Sequence, residues 1–485
     1  MTIIPKQEIQ YSNLSLVDQV GRVFCWKDQV YRAIPEKSAE HVLKLFRSGL
    51  IDKLISDKLI PNSQISDAKL EGYSLVIEHD TIPCITYPHE WSFSMYRDAG
   101  LLAIKVAEIA MEFGYRLKDS HPYNVLFWGT EPLFVDIGSL VDAQGSPTPV
   151  PDDFESVYLY PLSIWSSGDT FLAKRIINSA SDIMPASSWH QYKSGGRKPT
   201  TTRLPTPFLK IRDKCRRIAR DPKHLVPSVL RRAIDHDRSD ISDAKQQLGR
   251  WRRKIQSLRS PDVPTMWANY HDEYFVNGDL KPTNRFSRLI EIVKEHDPKS
   301  VVELAGNQGL FSLMLLEKTD TNRVLCTDAD FGAIDRLYRY CGEKNLNNTK
   351  RKIFPAVIDF MIPEMNYFTS TPSSRFQCDI VLALAVTHHL LLTHGFRLDD
   401  VIRRIAEYTT QYAIIEFMPL GLWDGNTSHP IPEWYHEQWF RNGFCEHFDL
   451  VLQEQLESNR VVFVGKKKQR ENSVNPHHHE PLPTA

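Results

Sequence analysis

Val301-Val302-Glu303-Leu304-Ala305-Gly306-Asn307-Gln308-Gly309 decides how the larger part of this chain is read. The run opens as a buried strand, turns through small residues and continues into the amphipathic stretch Leu310 to Leu316. An acid stands inside the strand end, and Gly309 stands where a helix should begin. In an open α/β sheet, ligands bind where the carboxyl end of a strand meets the following helix. Small residues there let the backbone approach a ligand closely.

Outward from this turn, apolar runs and helical patterns alternate. Val324-Leu325-Cys326-Thr327 ends at Asp328, and Ala356-Val357-Ile358 ends at Asp359. Ile380 to Val386 follows Asp379 and leads into Thr387-His388-His389, and Tyr412 to Phe417 contains Glu416. Helical patterns such as Gly332 to Cys341 and Leu398 to Tyr408 lie between them. The alternation predicts an α/β domain with a parallel sheet covered by helices. Acids at the ends of consecutive parallel strands converge on one edge of such a sheet. Glu303 would lie near an amino-bearing or positive ligand, and Asp359 could meet an adenine amino group. Asp328 follows one βα unit later, where an acid accepts hydrogen bonds from ribose hydroxyls. Each acid alone also reads as a carboxylate capping the next helix; their recurrence, together with Gly309, favours a ligand site. The G-x-G-x-x-G spacing of dinucleotide dehydrogenases is absent.

From Trp267 to Lys467 these residues resemble the class I S-adenosylmethionine-dependent methyltransferases. The resemblance implies a Rossmann-like sheet with S-adenosylmethionine held by Glu303, Ala305, Gly306, Asn307, Gly309, Asp328, Asp359 and Ala385. Family members usually carry Gly where Ala305 and Asn307 stand; Asn tolerates left-handed backbone angles better than most residues. Methyl transfer is an in-line displacement, so the protein mainly aligns the partners. A hydroxyl acceptor must also lose a proton, which suits a neutral histidine. His388 and His389, after the fourth strand, are the candidate catalytic residues, one facing the cleft and the other packing. The pair could instead cap a helix beginning near Leu390. No Asn/Asp-Pro-Pro-Tyr sequence follows that strand, which points to oxygen or an unspecialised nitrogen as acceptor. The expected acceptor is a small molecule or a glycan or lipo-oligosaccharide hydroxyl, and no metal is expected.

A second pattern lies upstream. Leu117-Lys118-Asp119-Ser120-His121-Pro122-Tyr123-Asn124 is followed by Val135-Asp136-Ile137-Gly138. Kinase-type phosphotransfer needs an acid to orient the attacking hydroxyl and two ligands to hold magnesium. Asp119, Asn124 and Asp136 have that order and resemble the loops of protein-kinase-like and aminoglycoside-phosphotransferase-like domains. The resemblance implies an α+β kinase-like site for magnesium-ATP, with the helix Tyr96 to Phe113 and a strand at Thr81 to Tyr87 in the same layout. No glycine-rich phosphate loop precedes it, and Arg32 stands where a strand lysine is usual. Arg does not substitute cleanly for a lysine point charge. A degenerate lobe used for binding or scaffolding is therefore expected, with a bifunctional kinase–methyltransferase or a non-enzymatic scaffold as the alternatives. The whole chain resembles a group of bacterial two-part proteins that includes a rhizobial nodulation protein, in length and in Tyr87-Pro88-His89-Glu90-Trp91-Ser92-Phe93-Ser94. That resemblance implies a role in host-specific nodulation.

The expected division is a kinase-like domain at 1–195, a basic helical connector at 196–261, the methyltransferase domain at 262–467 and a disordered tail at 468–485. The tail's His477-His478-His479 run reads as flexible chain rather than a metal site. In the connector, Lys214-Cys215-Arg216-Arg217 and Arg250-Trp251-Arg252-Arg253-Lys254 could contact phosphates, or pair with the acids of Asp235 to Asp243. Trp251 alone offers a stacking ring, so nucleic acid is not the expected partner. The formal net charge of -1 over 485 residues predicts no global pull toward nucleic acid or membrane. Scattered cysteines without a CxxC pair point to a reducing, cytoplasmic setting. No signal peptide or membrane span is expected.

Overall fold

The computed structural model describes residues 2–12, 15, 18–143, 151, 153–179, 184–194, 228–261, 275–276, 279–280, 283–346, 351–365, 369–423 and 430–469. The Lys214–Arg217 cluster, the His477–His479 run and the side chains of the acidic stretch up to Ser242 lie outside them. Two compact units emerge. The first holds 1–270 with 330–358 and 364–370; the second holds 271–329, 359–363 and 371–485. No described helix is long and apolar enough to cross a membrane.

The first unit begins with an antiparallel sheet of β1 (Gln10–Tyr11), β2 (Arg22–Trp26), β3 (Gln29–Ile34), β4 (Ser63–Ile65) and β5 (Leu75–His79), in the order β1-β2-β3-β5-β4. Helix α1 (Glu36–Arg47) buries Val42 and Leu45. Gly49, at φ 79°, separates α1 from a second helix that restarts at Leu50. Thr81 to Tyr87 forms no strand, correcting the sequence expectation. Its carbonyls and amides run into the turn Pro88–Glu90, where Glu90 accepts from the Tyr87 N–H at 2.8 Å.

Helix α2 (Phe93–Glu112) is the axis of this unit, capped by Ser92 and buried on most of its circumference by small and aromatic residues. Four short strands follow: β6 (Tyr115–Leu117), β7 (Val125–Trp128), β8 (Glu131–Phe134) and β9 (Leu140–Asp142). β7 and β8 form a hairpin, and β6 pairs with β9. Helix α3 (Ser228–Ser257) places Leu248, Trp251 and Ile255 in the same core.

Downstream come α4 (Asn284–Glu295), β10 (Ser300–Leu304), α5 (Leu310–Lys318), β11 (Arg323–Asp328), α6 (Phe331–Glu343), β12 (Lys352–Val357), β13 (Cys378–Ala383), α7 (Leu398–Ala406), β14 (Thr409–Phe417), α8 (Glu437–His447), β15 (Phe448–Glu457) and β16 (Arg460–Lys467). The seven-stranded sheet has the order β12-β11-β10-β13-β14-β16-β15. Counted within this region, that is 3-2-1-4-5-7-6, the Rossmann-like order with a reversed last pair. β10 pairs in parallel with β11 and β13, and β13 with β14; β16 is antiparallel to β14 and β15. Every residue of β10 is buried, as a strand covered on both faces requires. α4 and α7 bury Phe286, Leu289, Ile290 and Val293, and Leu398, Val401, Ile402 and Ile405, each at helical spacing.

Strand boundaries differ from the sequence reading: β12 starts at Lys352 rather than Ala356, and β14 at Thr409 rather than Tyr412. The fourth apolar run stops at Ala383 because Ala385 takes φ +52°, which ends extended pairing. The closing pair β15 and β16 was not among the expected runs. β15 alternates exposed and covered residues, the mark of an antiparallel edge rather than a buried parallel strand.

Candidate functional site

Register fixes which residues share an edge. Leu304 is level with Thr327 of β11 and Ala383 of β13, and Ala383 with Ile415 of β14. The segments after these positions therefore leave the sheet side by side. Three residues in two of these segments adopt left-handed backbone angles without being glycine: Ala305 at φ 55° and Asn307 at 53° after β10, and Ala385 at 52° after β13. Such angles cost about 1–2 kcal/mol for most L-residues and gather where a ligand is clamped. Gly309, at φ 69°, then starts α5.

The turn is tied down by its neighbours. The Gly306 N–H donates to the Thr327 carbonyl and the Asn307 N–H to Oδ2 of Asp328, both at 2.8 Å. A Cβ on Gly306 would meet Cys326 Sγ at 2.7 Å, so glycine is needed there for close packing on β11. Glu303 does not reach out of the turn. Its carboxylate accepts from the Ser312 N–H at 3.0 Å and the Ser312 hydroxyl, binding strand to helix. Burial pushes its pKa up to about 7, against the pull of those bonds and of Arg285. Asp359 is exposed and accepts from the Met361 and Ile362 N–H groups at 2.9 and 3.0 Å, so one of its oxygens serves a turn.

His388 and His389 follow β13 with ring centroids 4.0 Å apart. His388 is buried, and its Nδ1 has no hydrogen-bond partner among the described residues. Burial, then His389 and Arg460, lower its pKa to about 3, so the imidazole is neutral at ordinary pH. His389 is half-buried and also lowered by desolvation. It opens a π-helical turn, His389–Thr393, in which the His394 N–H reaches the His389 carbonyl at 3.0 Å.

Sequence reasoning passed over one group beside this pair. Glu416, fully buried at the end of β14, takes both Nε and Nη2 of Arg285 at 2.6 and 2.5 Å, and Nη1 of Arg460 at 3.3 Å. The Glu416 carbonyl accepts from Thr387 Oγ1 at 2.8 Å, joining the β13 and β14 ends. An acid inside the apolar run Tyr412 to Phe417 was the available signal for buried cations. Arg285 and Arg460 lie too far along the chain to be matched to it by spacing.

In the first unit, the structure places Asp119, Asn124 and Asp136 in the loops around the β7–β8 hairpin. Asp119 accepts from the His121 N–H at 2.7 Å, and burial and Asp119 raise the Asp153 carboxyl to about 6. The Asn124 N–H donates to the His121 carbonyl at 2.8 Å, and its side-chain nitrogen has no partner among the described residues. Asp136 is filled from within: Oδ1 takes Arg32 Nη1 at 2.9 Å and the Gly138 N–H at 3.1 Å, and Oδ2 takes the Ser139 hydroxyl at 2.6 Å. Arg32 also pairs with Asp18 at 2.6 Å. A carboxylate so occupied does not fit a magnesium ligand.

The basic Arg250–Lys254 cluster is also engaged. Trp251 stacks on Phe154 at 4.6 Å and donates to Glu155 at 2.8 Å, while Arg252 pairs with Glu108. Its ring is core, not a free stacking platform.

No family model matches the sequence. The chain is similar to the nodulation protein NoeA of Rhizobium meliloti (strain 1021), at 26% identity over 440 residues and 84% of each chain. Among solved structures it is similar to the methyltransferase domain of bacterial CtHen1, at 16% identity over 38% of this chain and 98% of that one, with a TM-score of 0.30. It is also similar to the N-methyltransferase NodS of Bradyrhizobium japonicum WM9, at 13% identity over 38% and 95%, with a TM-score of 0.28. The strand order and the turn after β10 carry the fold assignment independently of these scores.

Proposed function

We propose that this chain, like NoeA in most of its length, serves host-specific nodulation as an S-adenosylmethionine-dependent methyltransferase acting on a hydroxyl of a small molecule or glycan. One observation carries the reading: the left-handed turn after β10 hangs by the Asn307 N–H from Asp328 at the next strand end. In this reading the Asp328 carboxylate holds the turn and also accepts hydrogen bonds from ribose hydroxyls. Ala305, Gly306, Asn307, Gly309 and Ala385 bring backbone close to the cofactor; Asp359 stands at the adenine end and Glu303 beneath the turn.

When bound, the sulfonium supplies an electrophilic methyl carbon. His388, neutral and with a buried Nδ1 that has no partner among the described residues, would take the proton of the acceptor hydroxyl as that oxygen bonds to the methyl carbon and the carbon–sulfur bond breaks. His389 packs against its ring and completes the acceptor wall. The first unit acts in binding or scaffolding, because the Arg32–Asp136 pairing leaves magnesium-ATP without its ligand. The domain limits 1–195, 196–261, 262–467 and 468–485 stay part of this proposal.

Calorimetry with S-adenosylhomocysteine tests it. The wild-type chain should bind and Asp328→Ala should bind about tenfold or more weakly, the loss of a charge-assisted hydrogen bond. His388→Ala should bind the product undiminished yet lose about a hundredfold or more in methyl transfer. Wild type that does not bind, or Asp328→Ala that binds equally well, removes the reading.

A further inference from the structure

We infer that the second unit carries a zinc site, separate from the candidate methyl-transfer site, with Asp399, Glu446 and His447 as its ligands. Asp399 is the second residue of α7, and Glu446 and His447 close α8. One ligand atom from each of the three lies within 4.8 Å of the other two. His447 Nε2 already holds Asp399 Oδ1 at 2.9 Å, and the His447 side chain is only 12% exposed. The packing that brings them together is specific. A Cβ on Gly443 would meet Leu398 Cδ2 at 2.5 Å, so glycine lets α8 close on the start of α7. Backbone holds the other side, where the Lys468 N–H donates to the His447 carbonyl at 3.1 Å.

Two carboxylates here approach one imidazole, and like charges at that range repel. The Glu446 carboxylate makes no hydrogen bond or ion pair among the described residues. Nearby cations are engaged elsewhere: Arg403 with Asp400 at 2.7 Å and Glu407 at 3.6 Å, and Lys468 with the Cys445 carbonyl at 2.6 Å and Asp449 at 3.9 Å. A divalent cation balances such a pair of acids. One imidazole nitrogen with two carboxylate oxygens suits zinc, and three protein ligands leave a fourth position to water. Ligand atoms around a tetrahedral zinc stand roughly 3.3–3.6 Å apart, which the exposed Glu446 side chain reaches by swinging inward. The ion takes the place of the hydrogen between His447 and Asp399, and the imidazole carries its proton on Nδ1 instead. The groove beside the group is lined by Thr409, where β14 starts, and Lys467, where β16 ends. Glu416 and Arg460 lie at the other ends of those strands. The ion would therefore clamp α7 to α8 at the opposite edge of the sheet from the candidate site.

Zinc competition against a chromogenic chelator tests this on the full-length chain carrying His477→Ala, His478→Ala and His479→Ala, which removes the tail's own imidazoles. A single zinc should bind and should raise the melting temperature, since an ion held only by the folded state stabilises it. Glu446→Gln and His447→Ala should each weaken uptake at least about tenfold and remove most of the thermal shift. Calcium should not displace zinc, because it prefers an all-oxygen shell. Absence of zinc uptake, uptake unchanged by Glu446→Gln, or displacement of zinc by calcium overturns the inference. If His447→Ala does not fold, Glu446→Gln still decides, because that side chain is exposed and unpaired among the described residues.

Discussion

The backbone N–H of Asn307 donates to Oδ2 of Asp328 at 2.8 Å, tying the turn after β10 to the end of β11. The turn holds its shape against its own preferences, since Ala305 and Asn307 both lie at positive φ.

Substitution should expose that tension. Ala305→Gly removes about 1 kcal/mol of strain while adding a similar entropy to the unfolded chain, so stability should hold or rise slightly. Ala305→Val should lower it by about 2 kcal/mol and weaken product binding, because a β-branched residue resists this region. Urea denaturation of both variants checks it. A Gly variant markedly weaker than wild type would show that the angle is not strained.

Two buried groups pull stability in opposite directions with pH. Glu303 rises from 4.5 in the unfolded chain to about 7, so the folded state binds more protons between those values. Its contribution is present below pH 4.5 and is lost as pH rises through 7, up to roughly 3 kcal/mol. His388 falls from 6.5 to about 3, so its contribution is present above 6.5 and is lost as pH falls. Glu303→Gln should therefore gain on wild type from pH 5 to 8, while the slopes from His388, His79 and Asp153 stay as they are in wild type. A stability difference that does not change with pH would refute the buried-acid assignment.

The Arg285–Glu416–Arg460 group predicts a lopsided double-mutant cycle. Arg285→Met leaves a fully buried carboxylate with only Arg460 and should cost about 3–5 kcal/mol. Adding Glu416→Met should restore part of that loss, since the second change removes the uncompensated charge. Strictly additive losses in thermal unfolding would mean that the pair is not coupled.

The backbone around the candidate site was legible because it is local. The strand, the turn and Gly309 are consecutive, and Asp328 lies at a regular βα interval, so periodicity and small residues were enough. Glu303 was expected near a ligand, and in the structure its Oε2 also holds Ser312; spacing cannot tell whether a strand-end acid is engaged by its own helix. Arg285 and Arg460 meet Glu416 only through the tertiary fold. The upstream Asp119/Asn124/Asp136 order was equally clear, yet order does not reveal that Arg32, on a strand far earlier, satisfies Asp136. The stop of β13 at Ala383 depended on a positive φ at alanine, which composition does not announce.

The rings and the carboxylate that α6 carries bear on how this chain can be handled. A piece starting near residue 262 would carry Phe331 and Tyr338 without Trp165 and Phe127, and an Asp335 carboxylate without Ser94. Bare aromatic faces of that kind drive self-association. Expressed by itself, that piece should precipitate or assemble into aggregates, and soluble material should return when residues 1–261 are supplied beside it as a separate chain.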